Sequence, residues 1–143
     1  MLVGAPSVPP GRIAFGSEWT AGVTEAAPRE GMHIPLRQQL LEQVLHIITL
    51  ARPLVETVAR RDRDLGSQIR RALSSVGLNI SEGFGSRAGN ARLRFESARG
   101  SLYEAQAGLR LAIAWGCLSA QACAPVLAAI DRLGARVFGL SQR

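Results

Sequence analysis

The chain has 143 residues, enough for one domain with a substantial core and too few for two. Apolar residues make up 47% and aromatic residues 5%, so the core must be assembled from Leu, Val, Ile and Ala, a mixture suited to helices. The net charge is +6 with a sequence pI of about 11.1, which makes binding to polyanions cheap. All 17 basic residues are arginine; two readings compete, a planar fork suited to phosphate and carboxylate or a genome rich in G and C that writes Arg for Lys without selection, and the excess of charge bears on binding under either.

Cys117 and Cys123 fit neither a zinc framework nor a Cys-x-x-Cys redox motif and read as reduced core residues. No apolar run reaches the length of a membrane span, and the N-terminus lacks the charged start and apolar stretch of a secretory signal. A soluble cytoplasmic protein without membrane association is expected.

Residues 1–31 contain Pro6, Pro9, Pro10 and Pro28 among several glycines and show no sustained periodicity, which predicts a mobile N-terminal tail. The bundle proper is expected over residues 32–143. From Ile34 to about Arg61, Leu36, Leu40, Val44, Ile47, Ile48, Ala51, Leu54, Val55 and Val58 recur at the helical period. Pro53 falls inside this stretch, predicting either a kink near residues 49–52 or a break into two helices.

Asp62 and Asp64 are alternative caps for a second helix whose buried face is Ile69, Ala72, Leu73, Val76, Ile80 and Phe84. Gly83 and Gly85 are expected to end it in the left-handed conformation. A third helix should run from about Asn90 to Trp115 on Phe95, Ala98, Leu102, Ala105, Leu109 and Ala112. After a turn at residues 116–119, a fourth helix buries Val126, Leu127, Ile130, Leu133, Val137 and Phe138; Pro125 suggests that its regular part begins only near Cys123. Four helices on short loops predict an all-α, up-and-down four-helix bundle.

The second helix carries a polar stripe, Gln68, Ser75, Asn79 and Glu82, and the third answers with Ser97, Ser101, Glu104 and Gly108. Small and polar residues on both surfaces allow a close approach with hydrogen bonds across the gap. Arg99 is the expected counter-charge for Glu82 or Glu104; the alternative is a solvated side chain beside Glu96 or Tyr103. We read the layer as a device for packing or assembly, and the protein as non-enzymatic. The only histidines, His33 and His46, cannot supply the Glu-x-x-His pairs of a di-iron bundle, and the serines have no nearby histidine base, so no metal and no cofactor are expected.

Residues 60–99 hold nine arginines against four acidic residues. Up-and-down connectivity separates them into one set comprising Arg60, Arg61, Arg63, Arg70 and Arg71 and another comprising Arg87, Arg92 and Arg94. Both are candidate phosphate contacts for RNA or DNA with little base specificity, because few aromatics are available for stacking. A solvated charged face is the competing interpretation.

The text Gln68-Ile69-Arg70-Arg71-Ala72, Ser75, Asn79-Ile80-Ser81-Glu82-Gly83-Phe84-Gly85, Arg94-Phe95 and Ala98-Arg99-Gly100-Ser101-Leu102-Tyr103-Glu104 resembles the bacterial four-helix-bundle family named after proteins encoded in 23S rRNA intervening sequences. The chain departs from that pattern in Ser81, where alanine is usual, in Ser86 before Arg87, and in Pro53. The resemblance implies a bundle assembled as a homo-oligomeric ring, typically a pentamer, with a basic surface for nucleic acid. It extends to the accessory variability determinant of diversity-generating retroelements, which implies a scaffold for RNA or a reverse transcriptase. The alternative is a protein interaction scaffold that does not itself touch nucleic acid.

Overall fold

In the computed structural model, which describes residues 34–143, a single residue separates the first two helices. Asp62 adopts an extended conformation, and its Oδ1 accepts a hydrogen bond from the backbone N–H of Leu65 at 2.9 Å. That carboxylate closes one of the donors a helix start leaves open, so the chain reverses with almost no loop. The predicted tail over residues 1–31 lies outside the described residues.

The elements are α1 (Leu36–Arg61), α2 (Arg63–Gly85), α3 (Ala88–Ala114) and α4 (Ala120–Ser141), and no strand occurs among the described residues. Consecutive helices pack against each other and α1 closes on α4, which makes a four-helix up-and-down bundle. The α2–α3 contact is the most extensive and the α1–α4 contact the least.

The core follows the apolar periodicity closely. Leu40, Val44, Ile47, Ala51, Val55 and Val58 of α1 meet Ile69, Ala72, Leu73, Val76 and Ile80 of α2. Phe95, Ala98, Leu102, Ala105, Leu109 and Ala112 of α3 meet Val126, Ile130, Leu133 and Val137 of α4. Phe138 departs from the expected face and is 49% exposed, because it lies on the side of α4 that looks along α3.

Two sequence expectations about helix ends are corrected, and one of the two alternatives at Pro53, the break into two helices, falls away. Pro53 does not break α1, which runs uninterrupted through it. Neither Gly83 nor Gly85 has a positive φ; α2 passes through both and is capped by Ser86 in extended backbone. Gly83 serves close packing instead, since a Cβ there would lie 2.6 Å from the ring of Phe95. Among the described residues the left-handed glycine is Gly116, at φ 74°, where the N–H groups of Cys117 and Leu118 reach back to the carbonyl of Ala112 and close α3. Helix α4 begins at Ala120, ahead of Pro125, because Ser119 caps it by accepting from the N–H of Ala122 at 3.1 Å. Both cysteines are unpaired, with Cys123 buried and Cys117 half-buried.

Candidate nucleic-acid interface and polar seam

The α2–α3 seam forms where the polar stripes predicted, with a smaller membership. Ser101 Oγ donates to Ser75 Oγ across the gap at 3.0 Å, and Asn79 Nδ2 donates to both the Oγ and the carbonyl of Ser75 at 3.0 and 2.9 Å. About two turns further along the seam, Gly108 sits directly against Ile69. Ser75, Asn79 and Ser101 are therefore the working core of the seam: small side chains let the helices approach, and each hydroxyl finds a partner.

The remaining predicted members lie outside it. Gln68 and Glu104 are exposed, and Ser97 is exposed with its Oγ donating to the carbonyl of Leu93 in its own helix. Arg99 does not pair with Glu82 or Glu104. Its guanidinium lies over the ring of Phe138, 5.2 Å from the centroid, because residue 99 faces α4 and the carboxylates do not. Glu82 is taken by Arg94, whose Nε stands 2.9 Å from Glu82 Oε2, with both side chains about half exposed. Of the two acids expected to pair with Arg99, Glu82 is in an ion pair but with a different arginine: the antiparallel register that joins residue 75 to 101 brings residue 94, one to two turns before 99, level with 82.

The two arginine sets differ in what surrounds them. In the second set, Arg92 pairs with Glu96 at 3.2 Å and Arg94 with Glu82, leaving Arg87 exposed at the entry to α3. In the first set all five side chains are exposed, and among the described residues none stands within ion-pair distance of a carboxylate. Arg60 donates to Thr57 Oγ1 at 3.0 Å, and Arg61 donates to the carbonyl of Gly116 at 2.8 Å. The Arg61 bond ties the α1–α2 reversal to the α3–α4 turn, so the first set is anchored at one end of the bundle. Arg70 shares a shallow depression of about 60 Å³ with Arg52, between α1 and α2, and Arg71 does not line it.

Sequence reasoning passed over two further features. Leu78 of α2 and Leu93 and Leu111 of α3 are 65%, 60% and 50% exposed. Their signal was present as leucines outside each helix's buried period. Arg132 and Arg136 of α4 face Gln39 and Gln43 of α1, visible in the sequence only as polar pairs spaced by four at the edge of each apolar stripe.

The fold and this seam define a small, basic, all-α bundle whose second and third helices are clasped by a serine-asparagine network. The chain belongs to the 23S rRNA-intervening sequence protein family, which it matches over residues 36–139. Comparison with curated proteins and with solved structures finds no significant match. No helix of the described residues is long and apolar enough to cross a membrane.

Proposed function

We propose that this protein is a non-enzymatic, homo-oligomeric bundle that binds nucleic acid through the phosphate backbone, as a scaffold for an RNA or for a complex with a reverse transcriptase. The observation that carries this reading is the first arginine set: Arg60, Arg61, Arg63, Arg70 and Arg71 are exposed with no carboxylate at ion-pair distance among the described residues. Guanidinium forks held near one end of a bundle match the geometry of phosphate oxygens. Arg87, Arg92 and Arg94 are the weaker set, because a carboxylate already engages two of the three.

Self-association is supported by Leu78, Leu93 and Leu111, whose exposure is large for leucine. A second copy packed against α2 and α3 would cover leucines of this kind, and a closed ring, of five copies in the proposed form, would repeat the arginine set and raise avidity without any new contact.

Fluorescence anisotropy with labelled single-stranded RNA and DNA at low salt tests the reading. Binding should weaken along a steep log-log salt line and depend little on base sequence. The triple substitution R60A/R63A/R71A should flatten that line, by about 0.7 in slope per lost contact on a single strand, more than R87A does. Absence of binding at low salt would abandon nucleic acid as the ligand. Recovery of one protein partner after nuclease treatment would then favour the interaction scaffold, for which the same exposed leucines are the natural surface.

A further inference from the structure

Where α1 and α4 meet, the bundle leaves a groove of about 470 Å³, within the range of small-ligand sites. Its walls are Gln39, Glu42, Gln43 and His46 on α1 and Arg132 and Arg136 on α4, with the small side chain of Ala129 leaving room between them. The arginines stand one helical turn apart on the same wall. Glu42 is the only carboxylate lining the groove, and it accepts a hydrogen bond from Gln38 Nε2 at 3.1 Å; neither groove arginine forms an ion pair with it.

Two details indicate a built site. Gln39 is engaged at both amide atoms: its Nε2 donates to the carbonyl of Ile34 at 2.6 Å, and its Oε1 accepts from Arg136 at 3.0 Å. That chain fixes the direction of one guanidinium. Gln43 shows the opposite state, because its Oε1 is buried with no hydrogen-bond partner. A stranded buried acceptor is costly, and rotation of the terminal amide toward the groove would present it to a donor there.

We propose that this groove binds a phosphate monoester of mononucleotide size, with the phosphate on Arg132 and Arg136 and the edge of the base on Gln43. Two guanidiniums match a phosphate dianion, and a glutamine amide can pair with N6 and N7 of adenine, the N6 amine donating to the stranded oxygen. The assignment is independent of the nucleic-acid reading above, which uses other arginines: Arg60, Arg61, Arg63, Arg70 and Arg71, with Arg87, Arg92 and Arg94 as the weaker set.

Isothermal titration calorimetry of the full chain with adenosine 5′-monophosphate, adenosine and inorganic phosphate tests it. The monophosphate should saturate one site per chain, with adenosine and inorganic phosphate each at least about tenfold weaker. R132A/R136A should abolish the heat while leaving the helical circular dichroism and the anisotropy with RNA unchanged. Q43L should weaken binding at least about tenfold, yet the unliganded variant should melt no lower than the parent, since leucine removes the stranded oxygen. The proposal is overturned if the monophosphate gives no saturable heat, if inorganic phosphate alone binds equally well, or if R132A/R136A leaves binding intact. Loss of binding in R60A/R63A/R71A alone would likewise overturn it by assigning the contact to the other arginine set.

Discussion

Gly83 shows how one residue type can be read correctly as special and wrongly in mechanism. Two glycines in three residues look like a left-handed stop, but the backbone stays helical through both, and what Gly83 supplies is the missing Cβ beneath Phe95. G83A should therefore destabilise the protein by about 1–3 kcal/mol through overpacking against that ring. G85A, where an added Cβ meets nothing within 4 Å, should be neutral or slightly stabilising, and urea titration of both variants checks the pair. Cys123 offers a second residue-scale test. Burial pushes its thiol above the usual 9.0, so the folded state keeps a proton that the unfolded chain gives up. Its contribution to stability is whole below pH 9 and is lost as pH climbs above it. A C123A variant should show a flatter alkaline stability profile, and a thiol reagent should modify half-buried Cys117 well before Cys123.

Between elements, the α2–α3 seam is held at its centre by small polar groups, with the Glu82–Arg94 ion pair at its half-exposed edge. A buried Glu82–Arg99 pair would have made Glu82 worth several kcal/mol, but the observed Glu82–Arg94 pair is half in solvent. E82A should cost no more than about 1 kcal/mol, with the difference shrinking in high salt. A thermal or chemical melt resolves the two cases. The stripes were legible because Ser, Asn and Gly recur where a bundle ordinarily places leucine. Which of them meet was not legible, because helical periodicity gives the face of a residue but not the axial offset between two helices. Offset is decided by contacts such as Phe95 over Gly83 and Ile69 against Gly108, each of which pairs residues far apart in sequence.

Across the whole molecule, the arginine sets and the exposed leucines divide the surface into chemically distinct regions. If the outer side of α2 and α3 joins copies of this chain, the double substitution L78E/L93E should lower the mass measured by sedimentation velocity while leaving the helical spectrum intact, since both side chains lie outside the core. An unchanged mass would move the assembly contact elsewhere. The closing contact of the bundle, α1 on α4, is also its loosest, and there the chain tolerates a groove lined by polar groups. Its two walls come from opposite ends of the sequence, as the bond from Arg136 to Gln39 shows.

The sequence by itself determined the helix count, the buried face of each rod and the family, because apolar recurrence and the Asn79–Glu104 text are local properties of the chain. Tertiary structure alone decided that Arg94 pairs with Glu82, that Arg99 stacks on Phe138, and that Gln43 is left with a buried, unpartnered oxygen. The physical reason is the same in all three: long polar side chains take their partners from whichever helix the packing brings alongside, and that choice is made by the fit of core residues rather than by the polar residues themselves.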